Sequence, residues 1–268
     1  MKKQEFSNLH LLNENVSMTL IANTGVLVEY DGIKILVDGI HYDSEYHFSK
    51  VPKKILNDMM EGNGKFKNID YIMFSHEHSD HFSPYYTMEY LKNNNVKCIF
   101  MPLEGSEKLA NLQSYINNYS FSCRLLKLPV GESCCYQLRQ DISVTIFNAV
   151  HMGKQYSFMD NYCFLLTLGE KNILFTADAD YVDSYFKNPL TGKDIDVVFV
   201  NPLFFNNIAG RKVIENVIKP TMVGVYHIPF LQDDKLMFRK IVKRDMNKFK
   251  NDFYDVFALC DEGQTVII

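Results

Sequence analysis

Ser75-His76-Glu77-His78-Ser79-Asp80-His81-Phe82 sets three imidazoles and an aspartate within six consecutive positions, directly behind the apolar run Ile69-Asp70-Tyr71-Ile72-Met73-Phe74. Neutral imidazole nitrogen and carboxylate oxygen are the donors that borderline divalent ions prefer. Such a group at the end of a buried strand reads as a metal site; the alternative is a solvated polar loop with chance histidines. Ser83-Pro84 follows at once and supplies an N-cap and a first-turn proline, so a helix is predicted to about Leu91.

Outward from this stretch, strands alternate with helices. Residues 18–29 and 33–37 read as a hairpin through Tyr30-Asp31-Gly32, and the second strand runs into Asp38. Strands are expected at 96–101, 125–128, 134–138 and 143–149, with a helix at 106–116. The second half repeats the first in outline. Residues 164–168 and 173–176 form a hairpin through Gly169-Glu170-Lys171-Asn172 that leads to Asp178, and 195–200 echoes 69–74. Where the first half carries the histidine cluster, the second has Asn201-Pro202-Leu203-Phe204. Two halves built alike predict two sheets packed face to face with helices outside, unless short apolar strands resemble one another by chance. Helices at 210–218 and 233–250, with strands at 222–226 and 256–259, close the second half. The last helix carries Lys235, Arg239, Lys240, Lys243, Arg244, Lys248 and Lys250. Its apolar residues Leu236, Phe238, Ile241, Val242 and Phe249 fall on one stripe, which makes the basic residues its solvated side.

At 268 residues the chain suffices for a large buried core, and one domain spanning 1–268 is expected. A net charge of -4 supplies no positive field for phosphate backbones or acidic membranes, so neither a nucleic acid nor a membrane is an expected partner. Met1-Lys2-Lys3 has no apolar run behind it and no stretch approaches a membrane span, so a cytoplasmic location is expected. The cysteines show no C-x-x-C spacing and read as reduced. Cys134 and Cys135 are neighbours on a strand, so their side chains point to opposite faces, which favours packing over a thiol site.

Further candidate ligands stand just past other apolar strands: His151 after 144–150, Asp178 after 173–177 and His227 after 223–226. Singly, each reads as a core histidine or a turn aspartate. Jointly they point to one sheet edge, where layered α/β domains gather their sites.

Together these residues resemble the metallo-β-lactamase superfamily of metallohydrolases, whose α/β fold is a four-layer αββα sandwich with an internal two-fold repeat. The resemblance runs from about Met18 to His227 and rests on Asp38 at the end of its strand, the H-x-H-x-D-H run at His76, His78, Asp80 and His81, and then His151, Asp178 and His227. Ala177 departs from the pattern, which has glycine before that aspartate. The resemblance implies two divalent metal ions, one held by His76, His78 and His151, the other by Asp80, His81 and His227, with Asp178 bridging. Zinc suits this donor set best, then manganese; iron tolerates it. The implied activity is hydrolysis by a metal-bridging hydroxide on a small ester, lactone or phosphodiester. Asp80 orients that hydroxide, and Asp38 supports the cluster loop or a ligand imidazole. Two alternatives stay open: a diiron oxidoreductase of the same fold, whose pattern has glutamate where His78 stands, and a non-catalytic metal-binding scaffold or sensor. Substrate is expected to meet residues 40–68, with His41, Tyr42, His47, Lys53, Lys54, Gly62 and Gly64, or else this segment is an ordinary helix at 51–60 with flanking loops. Lys154, Tyr156 and Asn161 are further candidates for substrate contact.

Overall fold

The computed structural model describes residues 15–42, 48–103, 107–249, 253 and 255–268. The expectations on Met1–Lys3, His47, Ser106 and Lys250 lie outside these residues. Two seven-stranded sheets carry the fold. The first runs β1 (Ser17–Leu20), β2 (Val26–Tyr30), β3 (Ile33–Val37), β4 (Tyr71–Met73), β5 (Cys98–Pro102) and β6 (Cys123–Leu126) in spatial order. The second runs β7 (Ser133–Arg139), β8 (Ile142–Val150), β9 (Asp160–Leu168), β10 (Lys171–Phe175), β11 (Val197–Val200), β12 (Met222–Val225) and β13 (Asp255–Ala258). β14 (Thr265–Ile267) returns to the first sheet and pairs antiparallel with β1.

The repeat expected from the sequence is present strand for strand. In each sheet a hairpin, β2–β3 or β9–β10, is followed by three parallel strands, and two antiparallel strands flank it on the other side. Side chains of the inner strands alternate between two cores, as a period of two requires. In β3, Ile35 and Val37 enter the layer between the sheets, while Leu36 joins the outer helices. In β11, Val197 and Phe199 face inward and Val198 and Val200 outward. Covering both faces explains why these strands are almost continuously apolar.

Three helices cover the first sheet: α1 (Lys53–Met60), α2 (Pro84–Leu91) and α3 (Glu107–Asn118). Ser83 caps α2 by accepting the Tyr86 N–H, with Pro84 in its first turn. The second sheet is covered by α4 (Asp183–Lys187), α5 (Pro202–Asn206), α6 (Ile208–Val213), which continues into a π-helical turn at Ile214–Ile218, and α7 (Phe238–Phe249). The architecture is the expected four-layer αββα sandwich. No helix among the described residues is long and apolar enough to cross a membrane.

Two local expectations change. The stretch 18–29 is two strands, because Ile21 N–H donates to Gly25 O at 2.8 Å and folds Ala22-Asn23-Thr24 back. A Cβ on Gly25 would stand 2.9 Å from the Gly39 Cα, so this turn packs against the loop after β3 at a distance only glycine allows. The basic helix starts at Phe238, capped by Asp234, whose carboxylate accepts from Phe238 N and Arg239 N. Leu236 therefore falls before it and is exposed. Cys134 is half-buried and Cys135 exposed on β7, and both are free.

Candidate metal centre

The cluster loop leaves β4 and is pinned on several sides. Ser75 N–H donates to Asp38 Oδ1 at 2.8 Å, Tyr162 N–H donates to Ser75 O at 3.0 Å, and Ser83 N–H donates to Ile40 O at 2.9 Å. Within the loop, the His78 carbonyl accepts from both His81 and Phe82 N–H. Phe82 stacks on Phe74 with centroids 3.9 Å apart, which anchors the far end in the outer core. The Ala22–Thr24 turn closes over the loop: Asn23 Nδ2 donates to Asp80 Oδ2 at 3.3 Å, and Thr24 Oγ1 to Asp80 O at 3.0 Å.

All seven candidate ligands come together. His76, His78, His151 and Asp178 form one group and Asp80, His81 and His227 another, the donor atoms of each group lying within 4.8 Å of one another. Asp178 stands between them. Its Oδ2 is 3.3 Å from His151 Nε2 and 3.6 Å from His81 Nε2, and its Oδ1 is 3.5 Å from His227 Nε2. His76 Nε2 and His78 Nδ1 are 3.1 Å apart, and His81 Nε2 and His227 Nε2 are 3.2 Å apart. Two donors on one tetrahedral ion at about 2.1 Å would stand roughly 3.4 Å apart, the range these separations occupy.

Hydrogen bonds on the far sides of the rings fix which nitrogen faces inward. Asp38 Oδ2 accepts from His81 Nδ1 at 2.9 Å and from the Ser75 hydroxyl at 2.7 Å. With that hydroxyl donating to Asp38, its oxygen accepts from His76 Nδ1 at 2.9 Å. His151 Nδ1 donates to Met152 O at 2.7 Å, leaving His151 Nε2 buried with no hydrogen-bond partner among the described residues. An orphaned buried imidazole nitrogen facing carboxylate and imidazole lone pairs is what a divalent cation would satisfy, so these residues fit the implied metal.

Electrostatics agree. Burial, reinforced by His81, holds His76 well below its ordinary pKa, and burial lowers His78 to about 4, so both are neutral donors near pH 7. Burial alone would raise Asp178, but His227, His151 and His81 hold its carboxyl well below the usual range. Burial would lower His81; the carboxylates of Asp80, Asp178 and Asp38 instead carry it well above its ordinary value.

Sequence reasoning named Asp38 as a support but missed the supporting role of the asparagines. Asn201 follows β11 as the histidine cluster follows β4. Its Nδ2 donates to Asp178 Oδ1 at 3.0 Å and Ala177 O at 3.2 Å, while its Oδ1 caps α5. Asn-Pro ahead of an apolar run was the available cue. Asn161 is fully buried, accepts from Asp178 N and donates to Thr176 O, so it positions Asp178 and is absent from the cavity wall. The cavity above the cluster has a volume of 450 Å³. Tyr156 lines it and Lys154 does not; of the described part of 40–68, Phe48 alone reaches it, while α1 packs Leu56 and Met59 into the outer core. Asp38, Ala177 and His227 all have left-handed backbones, with φ of 46°, 49° and 59°. Such conformations are costly away from glycine and gather at functional sites. At Ala177 this is also the physical reason glycine would suit the position.

Comparison with known proteins agrees with this architecture. The fold is similar to that of an isothiocyanate hydrolase from Delia radicum gut bacteria, with TM-score 0.63, 14% identity, and 93% of this chain and 98% of that one covered. It is also similar to Igni18, a metallo hydrolase from the archaeon Ignicoccus hospitalis, with TM-score 0.58, 13% identity and coverage of 95% and 98%. A third similar structure is CmlA, a diiron β-hydroxylase from Streptomyces venezuelae, with TM-score 0.57, 12% identity, and 94% of this chain against 54% of that one. No curated protein matches the chain. The family model described as the beta-lactamase superfamily domain matches residues 55–221, more than half of the sequence and the span that holds the cluster loop, His151 and Asp178. The chain therefore belongs to the beta-lactamase superfamily, in its metallohydrolase fold.

Proposed function

We propose that this protein is a dinuclear metal-dependent hydrolase of small esters, lactones or phosphodiesters. His76, His78 and His151 would hold one ion, Asp80, His81 and His227 the second, with Asp178 shared. The carrying observation is Asp178, whose two oxygens stand 3.3–3.6 Å from imidazole nitrogens of both groups. Two divalent ions repel, and a carboxylate between them offsets that repulsion. When bound, such ions lower the pKa of water from about 15.7 to about 7 and polarise the substrate oxygen.

The chain's own residues supply orientation and proton handling. Asp38 and Ser75 hold the rings of His81 and His76 with their Nε2 atoms inward. Asp80 is tethered by Asn23 and Thr24 and lines the cavity; in this reading it would direct the nucleophile and pass a proton to the leaving oxygen. Zinc is the first choice of ion and manganese the second, on an all-imidazole and carboxylate donor set. A small-molecule substrate suits a cavity of this size, and the similar fold of an isothiocyanate hydrolase supports a hydrolytic reading.

Elemental analysis of the purified protein, followed by a lactone, thioester and phosphodiester panel, tests this. The expected result is two metal equivalents per chain and hydrolysis that a chelator abolishes and added metal restores. Full activity after metal removal would sink it. Iron with no ester turnover points to redox chemistry, and no metal at all to a scaffold.

A further inference from the structure

The cavity wall carries aromatic rings at both ends of the donor cluster. Tyr156 meets His78 and His151 edge-on, with centroids 4.8 and 4.9 Å apart, and Phe48 meets His227 at 4.3 Å. Tyr181, Phe238, Leu203 and Met152 continue this apolar surface. Beyond the cluster, the polar side chains of the lining are neutral: the amides of Asn201, Asn206, Asn207 and Gln155 and the hydroxyls of Tyr156 and Tyr181. Three of the amides are committed inside the protein. Asn201 holds Asp178, Asn206 donates to Asp245, and Asn207 donates to the Tyr181 hydroxyl at 2.8 Å and accepts from Ala209 N. The N-terminus of α5 borders the cavity, but Asn201 already caps it.

Among the described residues, no lysine or arginine lines this cavity. Lys154, in the turn that carries Tyr156, is exposed and off the lining. An anionic group away from the cluster would thus meet no counter-charge among the described residues, whereas hydrocarbon would find aromatic walls.

Resting on the hydrolase reading, we infer that the substrate is an uncharged ester or lactone bearing an aromatic or branched hydrocarbon group. Its one strong polar contact is at the donor cluster, and substrates with a second, distal anionic group are rejected.

Hydroxamates test this, because each presents the same chelating head and only the far end varies. In calorimetric titration of the metal-loaded protein, benzohydroxamate and its para-tert-butyl derivative should bind at least about tenfold tighter than the para-carboxy derivative. Leu203→Lys, on the exposed rim, should close that gap by raising affinity for the carboxylate, while Lys154→Ala leaves it unchanged. Equal or tighter binding of the para-carboxy compound, no binding of any of the three, or a gap that Leu203→Lys does not alter overturns the inference. If the preference holds but no neutral ester is turned over, the hydrolase reading falls and the apolar specificity of the cavity stands.

Discussion

Asp38 accepts the Nδ1 proton of His81 through Oδ2 at 2.9 Å, and the same oxygen accepts the Ser75 hydroxyl, which in turn receives His76 Nδ1. One carboxylate thus fixes an imidazole in each donor group. Asparagine tolerates the left-handed backbone at this position, where φ is 46°, so Asp38→Asn removes the charge without forcing the chain to move. Loss of such a support weakens metal binding by about 10–100-fold. Competition with a chromophoric chelator should show that loss with unchanged far-UV circular dichroism. Unchanged affinity would remove Asp38 from the site.

The two donor groups share Asp178 but draw their remaining ligands from different elements. His78 is partly exposed, so His78→Ala should keep the fold and lower the bound metal, with activity falling alongside it. Asp80→Ala should do the same for the other group. It also leaves Asn23 Nδ2 without its buried acceptor, beside an Asn23 Oδ1 that is already unpartnered, so Asp80→Asn is the gentler companion. Elemental analysis of each variant decides. Full hydrolytic activity in a metal-free His78→Ala, Asp80→Ala double variant would sink the assignment.

The parts of this molecule that could be read from sequence are those whose cause is local. Strands β3, β4, β10 and β11 are dense apolar runs ended by polar residues, the Asp31-Gly32 turn marks its hairpin, and Ser83-Pro84 marks a helix start. Each of the seven donors lies close behind such a strand, so their convergence could be read once the repeat was seen. The break at Ala22–Thr24 could not, because it depends on Gly25 meeting Gly39 across the fold. The pairing of β14 with β1 joins residues at opposite ends of the described chain and leaves no local trace. Asn23, Asn161 and Asn201 are ordinary loop or strand residues until their partners at Asp80 and Asp178 are known.

Ala177 is buried with φ of 49° immediately before Asp178. For a residue with a Cβ this region costs roughly 1–2 kcal/mol, part of which glycine returns through the greater freedom of its unfolded chain. Ala177→Gly should therefore stabilise the protein by up to about 1 kcal/mol, a shift of a few degrees in Tm. Thermal unfolding with chelator present separates this from any change in metal binding. A fall in Tm would show that the methyl contributes packing worth more than the strain.

His41 is fully buried beside the cluster, neither ring nitrogen hydrogen-bonding to a described residue, and burial lowers its pKa from 6.5 to about 3 despite the opposing charge of Asp80. The unfolded chain takes up a proton near pH 6.5 that the folded chain refuses until near pH 3, so acid favours unfolding across that window. The stability this ring confers is complete above pH 6.5 and falls as pH drops, by about 3 kcal/mol at pH 4. His41→Met, of similar volume and without ring nitrogens, should match or exceed the parent's stability at pH 7 and lose correspondingly less on acidification. Urea unfolding of both proteins in chelator at pH 7 and pH 4 measures the difference, in which groups common to the two cancel. Equal acid losses would mean that His41 takes up its proton in the folded state as readily as in the unfolded one.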